Sequence, residues 1–177
     1  MKHNTRNVMM IALAIFAAAA SAWAGGPDYG ASAATAAISG TKAFTIVDML
    51  RWAAEDEYLA RGEYEAIMKK FGTMRPYENI MAAEEQHLAW LKAEYKTRGI
   101  AFPADGSAGH IVVPANLKQA AKAGVDAEIA NIQMYESFLS QPELAKPENA
   151  NAKTLFEQLK RASENHLRAF RTQLAKY

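Results

Sequence analysis

The sequence contains no cysteine. That absence excludes a disulfide framework, a thiolate nucleophile, a Cys-based zinc or iron-sulfur site, c-type haem attachment and a lipoprotein anchor. A large excess of either sign of charge is also lacking. With 20 Lys+Arg against 19 Asp+Glu, no net field points to a nucleic-acid or anionic-membrane partner. Strand-like alternation is absent over any useful length. What remains is a chain of 177 residues, half of them hydrophobic, which is the size of one domain whose core needs no covalent staples.

Only one long apolar run occurs, and it lies at the N-terminus. Lys2, His3 and Arg6 form a basic stretch, Val8 to Ala20 is uninterruptedly apolar, and Ser21-Ala22-Trp23-Ala24 offers an A-x-A cleavage site. Residues 1–24 therefore read as an export signal, with a mature chain beginning at Gly25 in the bacterial periplasm or outside the cell. The run is shorter than the roughly 20 residues a spanning helix needs, so no stable membrane anchor is expected. Cleavage removes two basic residues and no acid, shifting the formal balance from +1 to −1. Residues 25–44 are rich in Gly, Ala and Ser and read as a flexible lead-in.

From Thr45 onward the periodicity is helical, and the remainder, 45–177, reads as one unit. Thr45 with Asp48 resembles a capping box and Gly72 a stop, which predicts a helix over 46–71. Pro76 opens a second helix that closes before Gly99. Asn116 caps a third that ends before Pro142, and Asn151 is the expected cap of a fourth. The short connections 72–75 and 141–150 make antiparallel hairpins. The middle connection, Gly99 to Asn116, is long enough to cross the full length of the bundle. The expected fold is all-α, a four-helix bundle of two antiparallel hairpins joined by a long middle connection.

Each apolar stripe is interrupted by polar residues. Glu57 fills the gap on the first helix, Glu84 and His87 on the second, Glu128 on the third, Ser163 and His166 on the fourth. All lie near the midpoints of their helices, so they meet in one central layer. Three carboxylates buried together without compensation would cost many kcal/mol or force protonation. No Lys shares the layer, and Arg61, one turn after Glu57, can neutralise at most one of them. A bound metal is the economical solution, because carboxylate oxygen and imidazole nitrogen together suit Fe, Mn or Zn. The spacing Glu84-x-x-His87 puts both groups on one helical face. A lone E-x-x-H is common by chance, and a lone core His is more often structural than a ligand. Two of the three His of the mature chain fall in one layer with three inward Glu, and that coincidence favours the metal.

These residues resemble the ferritin-like superfamily, whose bundles place one Glu on each of two helices and an E-x-x-H on each of the other two. The stretch Glu57-Tyr58-Leu59-Ala60-Arg61-Gly62-Glu63-Tyr64 is similar to the E-x-x-A-R-x-x-Y of rubrerythrin-type proteins, and Glu84 to His87 matches their second-helix motif. Closer still is an exported ferritin-like family known only as a domain of unknown function. Its marks here are the acidic run before L-A-R-x-x-Y, Asn79 to His87, and Ser163 to Phe170. The resemblance implies a metal centre held by Glu57, Glu84, His87, Glu128 and His166, with one or two ions, iron first and Mn or Zn as alternatives. Ser163 stands where the superfamily has its second bridging Glu, and Glu164 points about 200° away from His166. The set is thus one carboxylate short, which suits a mononuclear site or a dinuclear one completed by water or oxo ligands.

Other residues carry weaker readings. His110 reads as a solvated loop residue, Tyr64 and Tyr135 as core with an option on hydrogen bonding or redox, and Trp52 and Trp90 as helix-interface residues. Arg61 reads either as the orienting partner of Glu57 or as a surface ion pair. The leading expectation is an exported metal-binding protein, with oxygen- or peroxide-linked oxidoreductase activity as its enzymatic form and an external electron donor as partner. An oligomer is allowed. Two other functions compete: a metal-free helical interaction or scaffold module, and a b-type haem bundle with His87 and His166 as axial ligands.

Overall fold

The computed structural model describes residues 28–38 and 43–177, and the predicted export signal lies outside them. The protein is an all-α bundle, with no strand among the described residues. Its helices are α1 (Gly30–Ile38), α2 (Ile46–Phe71), α3 (Tyr77–Thr97), α4 (Leu117–Leu139) and α5 (Ala150–Leu174). None of the described helices is long and apolar enough to cross a membrane.

Local chemistry sets the helix ends. The Asp48 backbone N–H donates to Thr45 Oγ1 and the Thr45 N–H to Asp48 Oδ2, both at 3.1 Å, so the expected capping box opens α2. Gly72 closes it at φ 93, a left-handed value that glycine adopts without strain, and its N–H returns to the Met68 carbonyl at 2.9 Å. Asn116 caps α4 by accepting from the Gln119 N–H at 2.9 Å. α5 begins earlier than expected. A 3-10 turn, Pro147–Asn149, leads directly into Ala150, so Asn151 lies exposed inside the first turn rather than capping it. Asn149 takes the cap position, with its side chain engaged by Arg98 and the Glu143 carbonyl.

The connection after α3 runs along α2. Tyr58 donates to the Pro103 carbonyl at 3.2 Å, Arg61 meets Asp105 at 2.7 Å, and Lys70 donates to the Pro114 carbonyl at 2.7 Å. This crossover carries the chain to the far end, so α4 runs antiparallel to α2. The register confirms the direction: Tyr64 meets Glu128, Glu57 meets Tyr135, and Trp52 stacks on Phe138. α5 returns beside α4, with Phe156 against Phe138 and Phe170 against Gly124. The bundle is therefore two antiparallel hairpins, α2–α3 and α4–α5, joined by a full-length crossover.

The segment read as a lead-in contains α1, which corrects that reading. Ala31 and Ala34 are buried against the bundle, and the Ala31 N–H donates to Asp56 Oδ1 at 3.0 Å. Small side chains with little area of their own let this short helix approach closely, which composition alone reads as a lack of core. Two further expectations change. His110 stacks on Tyr29 at 4.4 Å between ring centroids, and Trp90 is 40% exposed. Trp52 is buried as expected.

The core divides into two apolar clusters. One includes Met49, Leu50, Leu91, Tyr95, Met134, Phe138, Phe156 and Leu159. The other holds Ala60, Tyr64, Ile67, Tyr77, Ile80, Ala120 and Phe170. On each of α2 to α5 the polar residues of the central layer fall between the two.

Candidate metal centre

Helical periodicity turns Glu57, Glu84, His87, Glu128 and His166 to the bundle axis, and all five are buried, Glu128 at 1% exposure. Glu84 is the centre of the arrangement. Its Oε2 lies 2.7 Å from His87 Nδ1 and its Oε1 3.3 Å from His166 Nδ1. His87 Nδ1 is also 3.1 Å from Glu57 Oε2, and His166 Nδ1 is 3.4 Å from Glu128 Oε1. Two overlapping triads result, Glu57–Glu84–His87 and Glu84–Glu128–His166, each with donor atoms within 4.8 Å of one another and so able to hold a metal ion. Five residues predicted from four separate helices are thus brought into one site.

Two tyrosines complete it. Tyr135 donates to Glu57 Oε1 at 2.9 Å and Tyr64 donates to Glu128 Oε1 at 3.2 Å. Each tyrosine stands seven residues after one glutamate and binds the glutamate of the other helix, so α2 and α4 are related by an approximate two-fold operation. α3 and α5 obey the same relation, with Glu84-x-x-His87 facing Ser163-x-x-His166. Ser163 is buried and is the one position that breaks the symmetry, while Glu164 turns outward to Lys160 at 3.4 Å.

Electrostatics show how the layer is compensated by protons. Burial alone would lower the imidazole pKa values, yet the charges and hydrogen bonds of Glu57 and Glu84 raise His87 to about 10, and those of Glu128 and Glu84 do the same for His166. Glu84 is pushed up by burial but drawn below its ordinary value by hydrogen bonds from His166 and His87. Glu57 is raised by burial and the Glu84 charge, and Glu128 by burial against the opposing pull of His166. Burial and the nearby carboxylates hold both tyrosines far above their ordinary value, so they stay neutral donors. In place of Lys or Arg, the imidazoles of His87 and His166 themselves serve as counter-charges to the carboxylates.

Arg61 does not reach Glu57; it pairs with Asp105 on the half-exposed face. The donor set fits a metal on two observations. Both imidazoles present Nδ1 to carboxylate oxygens, and Glu128 Oε2 is buried without a hydrogen-bond partner. Metal binding would displace the shared protons and use that oxygen. Three further buried polar residues, Asp56, Glu63 and Asn131, escape the sequence reading because α1 covers the face on which they sit. The tyrosine roles carried a readable signal, the repeated seven-residue spacing. No protein-family model, curated protein or solved structure matches the chain.

Proposed function

We propose that the protein is an exported member of the ferritin-like superfamily that binds one or two iron-type ions at Glu57, Glu84, His87, Glu128 and His166. The observation that carries this reading is Glu84, whose two oxygens face two different histidines at 2.7 and 3.3 Å. A carboxylate so placed is suited to bridge two ions or to share one. Glu57 and Glu128 would supply terminal oxygens, His87 and His166 nitrogens, and Tyr135 and Tyr64 would orient the two terminal carboxylates. Two apolar clusters flank the layer above and below. A bound iron-type ion would supply the redox chemistry toward oxygen or peroxide, with electrons from an external donor.

The haem reading loses ground to the same geometry. The two imidazole rings are 5.8 Å apart with the Glu84 carboxylate reaching both, which is the space a macrocycle would need.

Elemental analysis of the mature protein purified without a His tag, beside Glu84→Ala and His87→Ala, tests the reading. Stoichiometric metal in the wild type and its loss in both variants is the expected result. Substoichiometric metal in all three overturns it. An oxygen-dependent absorbance change on iron loading identifies the oxidase or peroxidase form.

A further inference from the structure

A second group of buried oxygens lies beside the central layer, on the face of α2 that α1 and α4 cover. A cleft of about 20 Å³, room for about one water-sized group, is lined by Asp56, Glu63 and Asn131 together with Tyr29, Ala60 and Tyr64. Asp56 and Glu63 stand two turns apart on α2, and Ala60 between them is too short to fill the space. All three polar residues are at least nine-tenths buried, at 9, 8 and 6% exposure.

Their hydrogen bonding is incomplete in one direction only. Asp56 accepts from the Ala31 N–H at 3.0 Å, while Asn131 and the Val112 backbone lie near enough to Asp56 and Glu63 to favour their charged forms. Glu63 Oε1 and Asn131 Oδ1, both buried, have no partner. No Lys or Arg among the described residues pairs with either carboxylate. The deficit is therefore of positive charge and of donors, and it is localised in a cleft with room for a small group.

We propose that the cleft beneath α1 is a second cation site, built from the oxygens of Asp56, Glu63 and Asn131, which takes a hard divalent cation of the Mg, Ca or Mn class. The donor set contains carboxylates and an amide carbonyl and no nitrogen or sulfur, the combination such ions prefer, and the space admits one ion of that size. The site is distinct from the central layer, whose triads both include a histidine. Asp56 adjoins Glu57 in sequence, so a cation there offsets the repulsion between the two carboxylate groups and couples the two sites electrostatically.

Mn(II) serves as probe in the full mature chain, because pulsed electron paramagnetic resonance distinguishes manganese bound to histidine nitrogen from manganese bound to oxygen alone. The expected result is a bound population without nitrogen coupling in the wild type. That population should weaken at least tenfold in Asp56→Asn/Glu63→Gln, while any nitrogen-coupled population remains. The substitutions keep size and one acceptor oxygen each, and circular dichroism confirms the fold; should the double variant lose helicity, Glu63→Gln alone is read in its place. Absence of the oxygen-only population, or its persistence in the variants, overturns the proposal. A wild type without the nitrogen-coupled population, whose oxygen-only population is present and is lost in the variants, overturns the central-site reading and leaves this one standing.

Discussion

Tyr135 of α4 donates its hydroxyl across the bundle to Glu57 of α2 at 2.9 Å, and this bond fixes one carboxylate of the central layer from a helix other than its own. The reciprocal bond from Tyr64 to Glu128 makes the layer a cross-braced unit.

Removing either brace should therefore be felt twice. Tyr135→Phe and Tyr64→Phe each leave a buried carboxylate short of one donor, an expected cost of about 1–2 kcal/mol in stability measured by urea unfolding. Metal affinity, measured by competition with a chromophoric chelator, should fall roughly tenfold or more because the carboxylates lose their orientation. Unchanged stability and affinity in both variants would show that the tyrosines only pack.

Ser163 is the position at which the two-fold relation fails, and Ser163→Glu restores it. In chelator-treated protein the added buried carboxylate should destabilise by roughly 3 kcal/mol, since no further counter-charge is present in the layer. Saturating metal should recover most of that loss and raise the bound stoichiometry. A variant indifferent to metal would mean that this position does not face the ions.

The chelator-treated protein should lose stability as pH rises from 5 to 9. Asp56 and Glu63 are raised to about 8, so their contribution is complete below the unfolded value of about 4 and is lost as pH climbs through 8. His87 and His166 are raised to about 10, so theirs is complete below about 6.5 and is lost as pH rises through 10. All four act with the same sign. The urea midpoint as a function of pH measures the trend, and a midpoint that rises across this window contradicts it. Saturating metal should flatten or reverse the slope, because ligation requires the deprotonated groups.

Gly124 tests the packing that closes the bundle around the layer. A Cβ at this position would sit 2.7 Å from the Phe170 ring. Gly124→Ala is therefore expected to destabilise by about 1–3 kcal/mol despite the better helix propensity of alanine. Thermal unfolding reads the effect, and a stabilised variant would mean that α4 and α5 are not this close.

The ends of α2, the start of α4 and the central layer were legible because they are local or periodic. Thr45 and Asp48 cap α2 through groups three residues apart, and Glu57, Glu84, His87, Glu128 and His166 announce themselves by interrupting apolar stripes at a 3.6-residue period. The register of four such stripes, read from helix midpoints, was enough to bring the five groups to one height.

What a stripe leaves open is which other body covers the remaining faces of its helix. Asp56 is about 100° around α2 from Glu57, and nothing in its neighbours distinguishes a buried acid from a solvated one. α1 decides the matter by laying Ala31 and Ala34 over that face, an act of small side chains whose composition reads as linker. The direction of α4 was likewise open until the crossover placed Pro114 beside Lys70, and only that direction brings Tyr64 and Tyr135 to opposite glutamates. Sequence by itself determined α2 to α5 and the identity of the polar layer, since hydrogen bonding and periodicity act over a few residues. Tertiary structure decided the bracing, the counter-charges and the second acidic cleft, because those depend on which distant faces the chain folds together.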